Sequence, residues 1–188
     1  GGGHAENPET KRRLKNLVEV SGLGDHLAWH KAKPLTRSEM ERIHSVAYLD
    51  EFKRLSDAGG GNAGFYSPFG PGSFEIAAIS AGLVRQAASD VFHRRLDNAY
   101  VISRPPGHHC LPDASMGFCL LANIPLALEA LRAEVGPVRA AVVDWDVHHG
   151  NGTEACFYDR DDTLTISLHQ ENCFPPDQGR PDARGKGR

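Results

Sequence analysis

Apolar residues recur along most of the chain at the spacing of amphipathic helices. The first stripe follows Asn7, where an N-cap Asn, a Pro at the first helical position and an acid in the first turn predict a helix start. Gly22 predicts its end. The residues between Thr36 and Glu39 form a capping box, which predicts a second start. Further helices are predicted over residues 46–55, 74–91 behind a Ser73 cap, 120–134 with Pro125 in the first turn, and 151–158.

Three short apolar runs rich in β-branched residues predict strands buried in a sheet. They cover residues 99–103, 140–143 and 163–169, and helices are predicted between them. Strands that alternate with helices form parallel sheets with crossover helices, so the fold class is α/β. Residues 57–71 are rich in Gly, Asn and Pro and predict a loop. Because the carboxyl ends of parallel strands meet at one edge, we expect the polar residues after each strand to gather there.

The second strand runs into three potential metal ligands at every second position. Asp144, Asp146 and His148 follow the apolar run, and Gly150 ends the segment. In an extended chain this spacing sends all three side chains to one side. Mixed oxygen and nitrogen ligands suit Zn²⁺ or Fe²⁺ better than Ca²⁺ or a thiolate-bound metal. The alternative is that the carboxylates only cap a turn and the imidazoles are solvated, but the combined pattern favours a metal site.

A second pair of histidines follows the first predicted strand. Residues 104–109 read Arg-Pro-Pro-Gly-His-His. Two prolines and a glycine continue neither a strand ladder nor a helix. We therefore expect a rigid turn that presents His108 and His109 at the carboxyl end of the strand.

Composition and charge exclude several classes of protein. The 188 residues suit one domain with a sizeable core. The net charge of −3 argues against nucleic-acid or anionic-membrane binding, which needs clustered Lys and Arg. No apolar run approaches the roughly 20 residues of a membrane span, and residues 1–8 contain no signal-peptide core. Four cysteines without a Cys-x-x-Cys pair argue against a disulfide framework or zinc knuckle and favour the cytoplasm.

Three blocks of sequence together resemble one known superfamily. Residues 104–109, 116–123 and 143–153 resemble the histone deacetylase, acetoin-utilisation protein and acetylpolyamine amidohydrolase superfamily, especially its class II-like bacterial branch. The similarity extends from Asn7 to Gln170. It implies an arginase/deacetylase-like three-layer α/β fold around a parallel sheet. It also implies a metal-dependent hydrolase that removes acetyl groups from amines, with residues 1–188 as the N-terminal portion of the domain.

The resemblance implies a role for each residue of the two polar motifs. Asp146 and His148 match two of the three protein ligands of a catalytic Zn²⁺, with Fe²⁺ as the alternative metal. His108 and His109 match the histidine pair at the reacting water, and His109 is the expected general base and acid. Asp144 matches the carboxylate behind His108, which fixes its tautomer and raises its basicity.

The resemblance also implies supporting sites. Gly117 and Phe118 match the wall of an acyl-lysine tunnel, although Phe118 also suits a plain core. Asn151 stands behind His109 where some relatives have Asp, so we expect a smaller rise in the pKa of His109 and a neutral base near pH 7. A structural K⁺ site is implied at Asp144, Asp146, His148, Ser167 and Leu168. We expect Phe174 at the pocket mouth, Asn62 at the rim without a role, and structural parts for His44, His149 and His169.

Two elements of the family pattern are missing from these 188 residues. The family places a third metal ligand, an Asp, and an oxyanion-donating Tyr further downstream. We therefore expect a truncated fold that exposes a strand edge, binds zinc weakly and has little or no activity alone. The expected substrate is acetyl-lysine or a related acylated amine. The alternatives are an acetylpolyamine deacetylase, a catalytically incomplete metal- or partner-binding remnant and, more weakly, an arginase-like ureohydrolase. Homo-oligomerisation is a further expectation.

Overall fold

A computed structural model describes residues 6–186, which form a mixed helix and strand fold. Residues 1–5, part of the segment predicted to lack a signal-peptide core, lie outside this range. Residues 187 and 188, at the end of the predicted C-terminal loop, lie outside it as well. The helices are α1 (Pro8–Val20), α2 (Arg37–Met40), α3 (Val46–Asp57), α4 (Ser73–Phe92), α5 (Asn123–Val135) and α6 (Asn151–Phe157), with a 3-10 turn at Leu23–His26. The strands are β1 (Gly61–Asn62), β2 (Gly64–Phe65), β3 (Pro68–Phe69), β4 (Ser115–Met116), β5 (Ala140–Asp144) and β6 (Thr163–Ser167).

Strands β5 and β6 form a parallel pair connected through α6. Their register runs from Ala140 opposite Thr163 to Asp144 opposite Ser167. The carboxyl ends of both strands therefore lie at one edge, where the backbone N–H of Leu168 also donates to the carbonyl of Asp144 at 2.8 Å. The predicted α/β class with parallel strands is confirmed.

The strand predicted over residues 99–103 is wrong. Within residues 6–186 this segment pairs with no strand, and the side chain of Tyr100 is 80% exposed. An apolar composition favours a strand, but a ladder also needs a neighbour that satisfies its backbone groups. Neither β5 nor β6 supplies that neighbour.

The loop predicted over residues 57–71 contains three short strands, so that prediction is wrong in part. Strand β1 pairs antiparallel with β3, and β2 pairs parallel with β4. The second pairing depends on Gly64, because a Cβ there would lie 1.8 Å from the carbonyl oxygen of Ser115. Glycine thus permits the close approach that joins this loop to the segment after the histidine pair.

The helix ends agree with the sequence at most positions. The Asn7 side chain accepts from the Glu9 amide, and the Thr36 capping box is present. Pro125 lies in the first turn of α5, which begins later than predicted. The predicted Ser73 cap is wrong, because Ser73 is the first helical residue of α4. The N-cap is Gly72 with φ of 73°, a conformation that glycine adopts without steric penalty.

The core lies between α3, α4, α5 and the segment that follows the histidine pair. Phe52 and Leu121 are fully buried, and small alanines of α4 let it pack closely against α5. Buried Tyr48 donates its hydroxyl proton to the carbonyl of Leu120 at 2.7 Å. His44 is also buried and hydrogen-bonds to the carbonyl of Pro112 and the amide of Ala122. The histidine turn is therefore anchored at its C-terminal side to well-packed core.

One face of the β5–β6 pair carries exposed apolar side chains. Val143, Leu164 and Ile166 point away from the buried face, and Trp145 just beyond β5 is 80% exposed. This face is uncovered among residues 6–186. No helix in the same part of the chain is long and apolar enough to cross a membrane.

Candidate active site

The turn at residues 104–109 places two imidazole rings side by side. The ring centroids of His108 and His109 are 3.9 Å apart, and His109 is buried. The turn depends on Gly107, because a Cβ there would lie 2.6 Å from the amide nitrogen of Asn123 and 2.8 Å from the carbonyl oxygen of Leu121. Close packing against the start of α5 therefore fixes the position of both histidines.

His108 is paired with a carboxylate from the end of β5. Its Nδ1 lies 2.9 Å from Oδ2 of Asp144, which also accepts from the Asp146 amide through Oδ1. Burial works to raise the pKa of Asp144, but the hydrogen bonds from His108 and the Asp146 amide outweigh it, so the pKa is lowered. A Cβ on Gly150 would lie 2.3 Å from the same carboxylate, so glycine makes room for this pair.

His109 is paired with a neutral amide. Its Nδ1 lies 2.8 Å from Oδ1 of Asn151, whose Nδ2 faces the sulfur of Met116 at 3.4 Å. This arrangement makes Nδ1 the protonated nitrogen and leaves Nε2 as an acceptor. Burial, followed by the charge of His108, lowers the pKa of His109 to about 4. This lowered pKa favours the neutral imidazole, with Nδ1 as the protonated nitrogen.

Asp146 and His148, the two predicted metal ligands beyond β5, do not lie in an extended segment. The expectation that side chains at every second position point to one side therefore fails after Asp144. The Asp146 amide donates to Asp144 at 3.1 Å, and the His148 amide donates to Oδ1 of Asp146 at 2.9 Å. Each Asp thus accepts from the amide two residues further on, which bends the chain. The bends still bring the ring centroid of His148 to 5.9 Å from that of His109.

Asp146 and His148 have donor atoms that suit a metal ion, but two ligands are fewer than a catalytic metal site needs. Their side chains are partly exposed, and Nδ1 of His148 lies 3.0 Å from Oδ1 of Asp146. Carboxylate oxygen and imidazole nitrogen are ordinary Zn²⁺ ligands, but a catalytic site needs three protein ligands. Residues 6–186 contain no group of three His, Cys, Asp or Glu side chains arranged to hold a metal ion.

Two of the five residues expected at a K⁺ site, Asp144 and Ser167, line a small cavity at the ends of β5 and β6. The cavity has a volume of about 20 Å³, and its lining includes Asp144, Gly150 and Ser167. This volume is enough for one water-sized occupant. The hydroxyl of Ser167 also accepts from the Gly150 amide at 3.2 Å. Asp146, His148 and Leu168 are not part of the lining.

Gly117 and Phe118 lie beside the histidine pair, both with positive φ. A Cβ on Gly117 would lie 2.4 Å from Cδ2 of His109 and 2.8 Å from the ring of Phe174. Phe118 lines a cavity of about 410 Å³ that also reaches Arg104. The Phe174 ring lies 4.9 Å from the ring of His109, and its place at a pocket mouth stays a prediction.

Two further histidines, His149 and His169, lie next to each other near the site. Nε2 of buried His149 lies 3.1 Å from Glu154, and its ring lies 4.7 Å from that of His169. Nδ1 of His149 has no hydrogen-bond partner among the described residues. Asn62 accepts from the hydroxyl of Ser67 and so stabilises its own loop.

Sequence reasoning missed two aromatic residues at this site. Phe65 and Tyr66 follow Gly64, and their rings lie 6.2 and 6.3 Å from that of Phe174. The sequence signal was available, because two adjacent aromatics in a Gly- and Pro-rich loop have no obvious core to fill. The sequence predicts that Asn62 and the Gly-rich loop lie at the rim, but it does not single out these two rings of that loop.

Comparisons with known proteins identify the family of the chain. A family model described as the histone deacetylase domain matches residues 4–188. The chain is 59% identical over 174 residues to a histone deacetylase-like amidohydrolase of Pseudomonas aeruginosa, which covers 93% of this chain and 46% of the relative. It is 35% identical over 186 residues to a probable deacetylase of Methanothermobacter thermautotrophicus, covering 98% of this chain and 55% of the relative.

A solved structure gives the same result at the level of the fold. The crystal structure of the HDA15 HD domain matches with a TM-score of 0.91 and 31% sequence identity, covering 97% of this chain and 54% of that one. The expected deacetylase-like fold is therefore confirmed, and the chain spans about half the length of the curated relatives described above. On the family match, the identities and the shared fold, this chain belongs to the histone deacetylase domain family.

Proposed function

We propose that the complete protein is a metal-dependent deacetylase that removes acetyl groups from acetyl-lysine or a related acylated amine. The single observation that carries the proposal is the position of His109, whose Nδ1 faces Asn151 at 2.8 Å and whose ring centroid lies 5.9 Å from that of the potential ligand His148. A proton acceptor beside a metal ligand is the arrangement that hydrolysis of an amide requires. The names of the Pseudomonas and Methanothermobacter relatives support the same reaction class.

The proposed metal is Zn²⁺, with Fe²⁺ as the alternative. Asp146 and His148 would hold it together with a third ligand from outside residues 6–186. When bound, such a metal acidifies a water molecule and polarises an amide carbonyl. A protein ligand set of one carboxylate and one imidazole favours these ions over Ca²⁺.

The histidine pair would handle the protons of the reaction. Nε2 of His109 takes a proton from the attacking water and returns it to the leaving amine, because Asn151 holds the other ring nitrogen as a donor. His108 is oriented by Asp144, whose Oδ2 lies 2.9 Å from the Nδ1 of the ring.

The proposal also covers the extent of the domain, a structural cation, the cellular compartment and binding partners. Residues 1–188 would be its N-terminal portion, and K⁺ would occupy the small cavity beside Asp144 and Ser167. Four free cysteines support residence in the cytoplasm. Homo-oligomers, and the absence of nucleic-acid and membrane partners, stay predictions from the composition.

One observation favours a second candidate for these residues taken alone. Since residues 6–186 contain only two of the required ligands, the 188-residue chain by itself would be a catalytically incomplete metal- or partner-binding unit. We propose that it binds zinc weakly and has little or no activity. Robust turnover of an acetyl-lysine peptide by the 188-residue chain would refute this part.

The main proposal is tested on the protein expressed from its complete coding region. Metal content and turnover of an acetyl-lysine peptide are measured for the wild type, His109→Ala and Asp146→Asn. We expect about one equivalent of metal and turnover in the wild type, loss of turnover by about 10² or more in His109→Ala, and loss of metal in Asp146→Asn. His93→Asn removes a histidine that pairs with Glu134 away from the site and serves as the control. Unchanged turnover in His109→Ala would refute the proposal.

A further inference from the structure

Side chains from two helices hold one buried carbonyl group of the histidine turn. The carbonyl oxygen of Pro105 accepts from Oγ of Ser80 on α4 at 3.0 Å and from Nδ2 of Asn123 on α5 at 3.2 Å. Ser80 is 1% exposed and Asn123 is 7% exposed. We call Ser80 and Asn123 the turn clamp. It acts upstream of His108, on a part of the turn that the proposed mechanism does not use.

The turn depends on such contacts because it has few hydrogen-bond donors of its own. Pro105 and Pro106 have no backbone N–H, so hydrogen bonds to these two residues can reach only their carbonyl groups. The next carbonyl held from outside is that of His108, which accepts from the amides of Gly152 and Thr153 at 2.8 and 3.2 Å. The start of α6 therefore holds the turn at His108, and the turn clamp holds it at Pro105.

The two residues of the turn clamp also contact each other. Nδ2 of Asn123 lies 3.4 Å from Oγ of Ser80, and that Oγ lies 3.0 Å from Oγ of Ser103. The Ser80 hydroxyl has one proton for two possible acceptors, Pro105 and Ser103, whereas the Asn123 amide has two N–H groups. Without Asn123, the Pro105 carbonyl would compete with Ser103 for that one proton. The turn clamp therefore acts as a unit.

Asn123 has a cost that its packing does not explain. A carbonyl oxygen only accepts, so the amide nitrogen of Asn123 must face Pro105. Oδ1 of Asn123 is then buried without a hydrogen-bond partner in the part of the chain that the structure describes. A buried acceptor of this kind costs free energy. Stability alone would favour an apolar side chain here, whereas holding the turn requires the donor.

We propose that Ser80 and Asn123 are positioning residues for the histidine pair. By holding the Pro105 carbonyl, they set the distance between His109 and the potential ligand His148, whose ring centroids lie 5.9 Å apart. The two residues act through the turn and not by contact with substrate. The inference rests on the proposed deacetylase function, in which a displacement of about 1 Å at the reacting groups costs about 10²-fold in rate.

The test compares two serine-to-alanine variants in the protein from its complete coding region. Ser80→Ala removes the hydroxyl of the turn clamp. Ser56→Ala is the matched control, because Ser56 on α3 is also 1% exposed and accepts from the Phe74 amide at 3.1 Å, which joins α3 to the start of α4. Ser80→Thr keeps the hydroxyl. Asn123→Ala and the double variant with Ser80→Ala complete a double-mutant cycle.

Two readouts separate positioning from stability. One is steady-state turnover of an acetyl-lysine peptide, and the other is the NMR signal of the imidazole N–H groups of His108 and His109 in protein with isotope-labelled histidine. We expect Ser80→Ala and Asn123→Ala to lower kcat by about 10- to 100-fold with little change in KM, and to shift or broaden these signals. Ser56→Ala and Ser80→Thr should keep both. The loss in the double variant should be smaller than the product of the single losses.

Equal kcat and equal N–H signals in Ser80→Ala and Ser56→Ala would overturn the positioning role. Single losses that multiply in the double variant would also overturn it, because the two residues would then act independently. Absence of turnover in the wild type would refute the deacetylase proposal, and the N–H signals would then decide: a shift in Ser80→Ala but not in Ser56→Ala supports the turn clamp. If Asn123→Ala fails to fold, the comparison of Ser80→Ala with Ser80→Thr decides.

Discussion

Nδ1 of His109 lies 2.8 Å from Oδ1 of Asn151, so a neutral amide orients the proposed general base. The partner of the neighbouring His108 is the carboxylate of Asp144, at 2.9 Å. Two adjacent imidazoles thus have partners of different charge. Because a carboxylate stabilises a protonated imidazole more than an amide does, this difference keeps His109 available as a base.

Replacing the amide by a carboxylate should move the pH dependence of the reaction. In Asn151→Asp a negative charge beside His109 raises its pKa from about 4, by about 1 to 3 units if the carboxylate is ionised. The acidic limb of the kcat/KM profile should shift to higher pH by a similar amount, because the base is protonated at higher pH. An unmoved acidic limb in the complete enzyme would contradict this role.

Removing the carboxylate behind His108 should weaken catalysis. Asp144→Asn keeps the size of the side chain but removes the charge that orients and polarises the ring, and we expect about a 10- to 100-fold loss in kcat/KM. Steady-state kinetics together with metal analysis checks this. Asp159→Asn, which removes an exposed carboxylate that pairs with Lys186, is the control and should be unaffected. Equal kinetics of the two variants would count against the proposed role.

The histidine turn should not tolerate a side chain at Gly107. A Cβ there would lie 2.6 Å from the Asn123 amide nitrogen, and backbone does not yield easily. Gly107→Ala should lower the free energy of unfolding by about 1–3 kcal/mol through overpacking. Gly70→Ala is the matched control, since its Cβ meets nothing within 4 Å. Urea denaturation of the complete protein measures the free energy of unfolding of both variants. Equal values for Gly107→Ala and Gly70→Ala would show that the turn is loosely packed.

Buried His44 should make the fold sensitive to mild acid. Burial lowers its pKa to about 4, whereas an unfolded chain titrates near 6.5. Between these values the unfolded state binds more protons, so the stability present above pH 6.5 is lost as pH falls towards 4. The two pKa values give a loss of about 2 kcal/mol between pH 7 and pH 5. Protonation would also remove the acceptor of the Ala122 amide.

His44→Gln provides the comparison for this prediction. Gln keeps an acceptor but does not titrate, so its unfolding free energy should fall less between pH 7 and pH 5 than that of the wild type. Urea denaturation at both pH values measures the difference. Parallel losses in the two proteins would assign the pH dependence to other groups.

Local signals in the sequence predicted the features that depend on a few neighbouring residues. The Asn7 cap, the Thr36 capping box and the starts of β5 and β6 follow from such signals, whereas β6 ends at Ser167, two residues before the predicted end. The rule that parallel strands deliver their polar ends to one edge predicts that His108 meets Asp144, and the two side chains do meet although residues 99–103 pair with no strand within residues 6–186.

The features that depend on distant partners were not predictable in the same way. Residues 99–103 have the composition of a strand but no neighbour to form a ladder within residues 6–186. Asp144 and Asp146 accept from amides two residues ahead, so the alternation of an extended chain ends there. The position of the Tyr66 ring near Phe174 depends on the left-handed backbone of Tyr66, which nothing in its residue type favours.

The uncovered face of the β5–β6 pair gives the protein an internal optical reporter. Trp145, one of only two tryptophans in the chain, lies beside that face with 80% of its surface in water. Indole emission shifts to shorter wavelength when water is excluded from the ring. Binding of a segment or subunit to this face should therefore shift the emission of Trp145 to shorter wavelength. The signal needs no added label and arises next to the proposed metal ligands.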